Sequence, residues 1–161
     1  MDSTSSAAPQ KNEIPTGIER LSHVTIVVKD QNKALDFYTK ALGLEKRADY
    51  SVPGNPRWLT VAPKGQDIEM TLWQAGSWEA GSKSGEIPSS LNQPGAGTQW
   101  TFITADCRKT YAELKARGVV FRSEPAENPY STVAEFTDPD GNPFRLVQLK
   151  SASASQWKKG E

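Results

Sequence analysis

The stretch Leu21-Ser22-His23-Val24-Thr25-Ile26-Val27-Val28-Lys29-Asp30 is rich in β-branched residues and ends on an aspartate. It therefore predicts a strand that leads into a helix, because Asp is a favoured helix N-cap. Apolar residues then recur at helical spacing up to Gly43, which is expected to end the helix. Three further strands are predicted at residues 44–50, 57–62 and 67–73.

The same order of elements returns in the second half of the chain. A strand is predicted at 98–104, and Asp106 is expected to cap a helix that ends near Gly118. Further strands are predicted at 119–122, 130–136 and 144–149. Three residue pairs share a separation of 76 residues: Asp30 and Asp106, His23 and Gln99, and Glu69 and Arg145. An internal repeat of two α+β modules is therefore predicted.

A chain of 161 residues has room for two small modules that share a core. We expect modules at 18–75 and 97–150, joined by a mobile loop at 76–96 that is rich in Gly, Ser and Pro. Residues 1–17 are predicted to be a flexible leader, and residues 151–161 a polar tail.

Composition excludes several classes of protein. Lys and Arg total 19, as do Asp and Glu, so a basic nucleic-acid binder is not expected. No stretch approaches the roughly 20 apolar residues that span a membrane. Cys107 is the only cysteine and His23 the only histidine, so a disulfide framework and a two-histidine site within one chain are excluded. Without a secretory signal pattern, the expected location is the cytoplasm.

Alternation along the strands predicts which side chains share a face. Val24 and Ile26 are expected under the helix, which places His23 on the opposite face. The same alternation predicts that Glu69, Gln99 and Arg145 each lie on the opposite face of their strand from its large apolar side chains. These polar faces either line a cleft or contact solvent.

Three motifs resemble the vicinal oxygen chelate superfamily, which includes glyoxalases, bleomycin-resistance proteins and extradiol dioxygenases. They are the opening strand, then Ala34-Leu35-Asp36-Phe37-Tyr38 with Leu42-Gly43-Leu44, and finally Phe136-Thr137-Asp138-Pro139-Asp140-Gly141-Asn142-Pro143-Phe144-Arg145-Leu146. The resemblance covers residues 18–150 and implies an α+β fold of two βαβββ modules, whose sheets curve around a cleft. It also implies a homodimer, since members commonly pair modules between chains.

In metal-dependent members, the first and last strands of each module supply the ligands. The resemblance places these positions at His23, Glu69, Gln99 and Arg145. An imidazole and a carboxylate suit Zn, Ni, Fe or Mn, and an amide oxygen is a weaker ligand. Arg145 departs from the pattern, because a guanidinium has only donors and repels a dication. We therefore expect no catalytic metal, and an ion pair of Glu69 with Arg145 if the module ends meet.

The candidate ligand-binding residues are His23, Glu69, Trp73, Gln99 and Arg145. Trp58 and Trp78 could add aromatic surface, whereas Cys107 is interpreted as a structural thiol.

Three functions fit this sequence, and it does not decide whether the protein is an enzyme. The first is a metal-independent binder of a small organic molecule. The second is a metal-dependent lyase, isomerase or dioxygenase acting on vicinal oxygens, with His23, Glu69 and Gln99 as ligands. The third is a metal-free enzyme with Glu69 or His23 as base and Arg145 as electrostatic partner.

Restoring a carboxylate at position 145 tests the metal hypothesis. We expect Arg145→Glu to raise the affinity for a divalent metal, because the change adds a ligand and removes the repulsion. Metal content and affinity would be measured for wild type and variant side by side. A stoichiometric metal on the wild-type protein, held by His23 and Glu69, would contradict the expectation.

Overall fold

The computed structural model describes residues 18–77, 93–95 and 99–151. The predicted leader, Trp78 and most of the predicted loop and tail lie outside these ranges. No helix within the described ranges is long and apolar enough to cross a membrane.

The first half of the chain forms module 1. Its elements are β1 (His23–Val28), α1 (Gln31–Asp36), β2 (Glu45–Tyr50), β3 (Trp58–Ala62) and β4 (Glu69–Gln74). The Asp30 carboxylate accepts hydrogen bonds from the backbone N–H groups of Asn32 and Lys33, as expected of an N-cap.

The helix predicted to continue to Gly43 changes from one helix type to another halfway. It is α-helical only to Asp36, and Phe37–Ala41 is π-helical. The Thr39 hydroxyl donates to the carbonyl of Leu35 at 2.7 Å, a contact that competes with the regular backbone ladder. Gly43 then turns the chain with φ of 75°.

The second half forms module 2. Its elements are β5 (Trp100–Ile103), α2 (Cys107–Ala116), β6 (Val120–Phe121), β7 (Ala126–Glu127), β8 (Ser131–Thr137) and β9 (Pro143–Leu149). The Asp106 carboxylate accepts from the backbone N–H of Lys109 and caps α2. The strand predicted at 119–122 is shorter than expected, and β7 was not predicted. Pro125, which cannot donate to a ladder, lies between β6 and β7.

The two modules have matching topologies. The strand order is β1-β4-β3-β2 in one sheet and β5-β9-β8-β6 in the other, with β7 beside β8. In each sheet the first strand runs parallel to the last, and the other pairs are antiparallel. The predicted fold class, two βαβββ modules, is confirmed. Within the described chain, β1 and β5 are each bonded to one neighbour and so leave a free edge.

One hydrophobic core runs through both modules and confirms the predicted apolar faces. Ile26, Met70 and Leu72 belong to it from module 1, and Phe144 and Leu146 from module 2. At its centre Tyr38 is fully buried and meets Phe144 edge-to-face, with ring centroids 6.1 Å apart. The helix-facing sides of both sheets are therefore joined rather than packed separately.

A buried polar network around Asp138 joins the modules. Asp138 accepts hydrogen bonds from the Tyr38 hydroxyl at 2.8 Å and from the Asn142 side-chain amide at 2.7 Å. The same amide donates to the carbonyl of Val27 at 2.9 Å. The backbone N–H groups of Asp140 and Asn142 donate to the other Asp138 oxygen. The turn between β8 and β9 is thereby tied to the π-helical segment Phe37–Ala41 and to β1.

The parallel pairing differs by two residues between the modules. His23 lies directly opposite Glu69 in module 1, whereas Arg145 lies opposite Thr101 in module 2. Gln99 immediately precedes β5. The 76-residue spacing therefore relates individual strands but not the cross-strand pairs.

Removing the Tyr38 hydroxyl tests the link between modules. We expect Tyr38→Phe to lower the free energy of unfolding by about 1.5–3 kcal/mol, because a buried hydrogen bond to a carboxylate is lost. Tyr111→Phe is the matched control, since the Tyr111 hydroxyl accepts only from exposed Lys115 among the described residues. Chemical denaturation measures both variants, and equal losses would contradict a special role for Tyr38.

Candidate functional site

The face of the module 1 sheet opposite the helix begins with a histidine and a carboxylate. His23 and Glu69 are the first residues of β1 and β4, and their register brings them side by side. His23 Nε2 lies 3.7 Å from Glu69 Oε2, and its Nδ1 lies 2.9 Å from the Ser22 hydroxyl. Both side chains are only partly covered, with 38% and 27% of their surface exposed. They are therefore accessible to a ligand.

Thr60 orients the Glu69 carboxylate, and sequence reasoning did not single it out. The Thr60 hydroxyl accepts from the backbone N–H of Ala48 at 3.0 Å and lies 2.5 Å from Glu69 Oε2. Because its acceptor side is occupied, the hydroxyl directs its proton to Glu69. Strand alternation was the available signal, since Trp58, Thr60 and Ala62 must share a face.

Two tryptophans form an aromatic wall beside His23. The rings of His23 and Trp58 meet edge-to-face with centroids 5.4 Å apart. Trp58 and Trp73 meet in the same way at 6.4 Å. The structure therefore brings the predicted Trp73 together with His23 and Glu69. It also assigns Trp58, whose facing the sequence left open, to the same surface.

An ion pair anchors the strand that carries Trp58. The Arg57 guanidinium donates to both oxygens of Asp49, at 2.8 and 2.9 Å, and to the Asn32 side chain at 2.7 Å. The hydrogen bonds from Arg57 lower the pKa of Asp49 to about 2. A bidentate pair of this kind fixes the start of β3 against β2 and α1.

A row of threonines continues the same face. Thr71 lies opposite Thr25 in β1 and opposite Thr60 in β3. Its side chain is buried, with 2% exposed, and its Oγ1 has no hydrogen-bond partner in the described part of the chain. A buried hydroxyl without a partner is unusual and costs stability. It marks a place where a bound group could supply the missing bond.

The remaining two predicted residues belong to module 2. Arg145 lies opposite Glu135 as well as Thr101, and its Nε is 3.3 Å from Glu135 Oε1. Glu69 and Arg145 do not pair with each other within one chain, contrary to the expectation, because each already faces a partner in its own sheet. Arg145 on β9 and Gln99 just before β5 thus belong to module 2, apart from the sheet that carries His23, Glu69 and Trp73.

The donor set of one chain does not fit a catalytic divalent metal. Only His23 and Glu69 come together at the positions that the resemblance indicates, and Arg145 has only donors. Among the described residues, no three His, Cys, Asp or Glu side chains form a group that could hold a metal ion.

Cys107 lies apart from this face, at the start of α2. Its thiol is fully buried and donates to the carbonyl of Leu146 at 3.6 Å. Burial raises the pKa of the Cys107 thiol, so the thiolate that a nucleophile requires is disfavoured.

Comparison with known proteins agrees with this architecture. Residues 20–146 match the family model of the Glyoxalase/Bleomycin resistance protein/Dioxygenase superfamily. YurT of Bacillus subtilis is 36% identical over 125 residues, which cover 77% of this chain and 94% of YurT.

Two solved structures resemble the chain over most of their length. A superfamily member from Sphaerobacter thermophilus has a TM-score of 0.67 at 36% identity, covering 81% of this chain and 98% of that one. TnmS3, an antibiotic binding protein from Streptomyces sp. CB03234, has a TM-score of 0.67 at 32% identity, covering 83% and 98%. With the family model matching most of its length, the chain belongs to the glyoxalase/bleomycin resistance protein/dioxygenase superfamily.

Proposed function

We propose that this protein binds a small organic molecule without a catalytic metal. The binding surface is the face of the module 1 sheet that carries His23, Glu69, Trp58 and Trp73, here called the His23 face. The observation that carries the proposal is an aromatic wall next to a buried hydroxyl that has no hydrogen-bond partner among the described residues. Trp58 and Trp73 offer apolar surface to a flat ligand, and Thr71 offers one hydrogen bond at a buried position. Ligand pockets commonly combine apolar walls with a few placed polar groups.

The likeness to TnmS3 supports the same function. That protein is an antibiotic binding protein, and the similarity extends over 83% of this chain at 32% identity. We extend this to the present chain as a proposal: its ligand is a natural-product-sized molecule with an aromatic portion. Glu69, held by Thr60, would accept a hydrogen bond from the ligand, and His23 would contribute its ring.

We also propose that the cleft is completed by a second chain. In the described part of the chain, both β1 and β5 leave a free edge, and edge strands that carry apolar side chains favour pairing. Ile103 of β5 is 54% exposed. Pairing β1 of one protomer with β5 of its partner would place Arg145 and Gln99 of one chain beside Glu69 and His23 of the other.

Replacing Thr71 separates ligand binding from folding. In Thr71→Val we expect unchanged or greater stability, because a methyl group replaces a buried hydroxyl that no described residue pairs with. We expect a loss in ligand affinity of about three- to tenfold, as for one lost hydrogen bond. Bleomycin and daunorubicin would serve as probes, followed by calorimetric titration, and chemical denaturation would measure stability.

Thr60→Val is the matched control for this substitution. It should lower stability, because the Ala48 amide and the Glu69 carboxylate both lose a partner. Equal affinities of wild type and Thr71→Val for a probe that binds would refute the assigned role of Thr71. Failure of both probes to bind the wild type would count against an antibiotic-like ligand. Chemical conversion of a bound molecule, lost in Glu69→Gln, would favour the metal-free enzyme instead.

Introducing a charge on β5 tests whether this strand pairs with a second chain. Wild type is expected to scatter light with twice the mass of one chain at micromolar concentration, and Ile103→Glu is expected to shift it to the monomer. Val120→Glu is the control, because Val120 is 66% exposed but lies on β6, away from the free edge of β5. A monomeric wild type, or equal dissociation by both variants, would argue against this arrangement.

A further inference from the structure

A concave site lies between the modules, away from the His23 face. It is a cavity of about 490 Å³, within the range typical of small-molecule sites. Its lining includes none of His23, Glu69, Trp58, Trp73 and Arg145. The cavity is therefore separate from the His23 face, but Thr101, Phe102 and Ile103 of β5, the strand proposed to pair with a second chain, are part of its lining.

Two turns of module 1 close the cavity over module 2. One is the turn after the π-helical segment, where Leu42 and Leu44 flank Gly43. The other is the turn from β3 to β4, where Pro63, Lys64 and Gln66 contribute and Gly65 takes φ of 77°. A positive φ of this size suits glycine, so both turns are locally encoded. Movement between the modules would change the size of the cavity.

The floor of the cavity is the apolar core of module 2. Leu114, Phe136 and Leu146 line it and are between 1% and 7% exposed. Eight of the fourteen lining residues are apolar, and the uncharged polar side chains are Gln66 and three threonines. A ligand would therefore gain most of its binding free energy by burying apolar surface.

Of the described residues that line the cavity, only Lys64 is charged. Lys64 is exposed, and no carboxylate of the described residues lies within ion-pair distance of it. Its ammonium group therefore has unused capacity to pair with an anion. A cationic ligand would instead meet repulsion without any carboxylate in the lining to offset it.

We propose that this intermodule cavity binds a small amphipathic monoanion. The apolar body of the ligand lies against Leu114, Phe136 and Leu146, and its carboxylate or sulfonate group pairs with Lys64. Because Lys64 remains hydrated, this pair contributes modest affinity and mainly selects the sign of the charge.

Three ten-carbon probes that differ only in the head group test both parts of the proposal. Decanoate, decan-1-ol and decylamine would be titrated calorimetrically into the full-length protein below their micelle concentrations. We expect decanoate to bind most tightly, about two- to fivefold better than decan-1-ol, with decylamine weakest. In Lys64→Glu the preference for decanoate over decylamine should reverse, whereas binding of decan-1-ol should be unchanged.

Control variants establish where the probes bind. Lys109→Glu makes the same change of charge on α2 at a residue outside the lining and should leave the order intact. Thr110→Phe adds a ring to the cavity wall and should weaken all three probes. Trp73→Leu alters only the His23 face and should affect none.

Several results would overturn the proposal. These are absence of saturable decanoate binding, equal affinity for the three head groups, and an unchanged preference in Lys64→Glu. Loss of decanoate binding in Trp73→Leu would place the probe on the His23 face instead. Weaker decanoate binding as protein concentration rises would show that a second copy of the chain fills the cavity.

Discussion

The buried carboxylate of Asp138 is the interaction on which the arrangement of the modules depends. It lies in the turn between β8 and β9, yet it accepts a hydrogen bond from the hydroxyl of Tyr38 in the helical segment of module 1. Asn142 of the same turn bonds both Asp138 and the end of β1. A buried carboxylate is costly unless its oxygens are satisfied, so these contacts allow one relative placement of the modules.

That placement has consequences on both sides of the molecule. The helix-facing sides of the two sheets merge into one core, with Tyr38 against Phe144, and leave a cavity at its margin. Among the described residues, the first strand of each module keeps one edge that is not bonded to another strand. The polar residues predicted to share one cleft are therefore divided between two sheets within a single chain. In the proposed dimer, a second copy of the chain brings them together.

The His23 face illustrates how two neighbouring buried threonines can differ in their hydrogen bonding. Thr60 has both hydrogen-bonding directions occupied, by the Ala48 amide and the Glu69 carboxylate. Thr71, directly opposite, is as buried but has no partner among the described residues for its hydroxyl. The first residue holds the site in shape, and the second leaves it with an unmet hydrogen bond. Residue type alone does not distinguish these roles.

Local sequence was sufficient to predict the strands, the capped helices and which side chains share a face of each strand. Alternation in β1 and β4 predicted that His23 and Glu69 oppose the apolar set, and Asp30 and Asp106 marked the helix starts. Only the tertiary structure decided the partners: Arg145 with Glu135, Thr60 with Glu69, and Tyr38 with Asp138. Alternation and capping act over a few residues, whereas cross-strand register and module contacts depend on the connecting segments and on packing between distant residues.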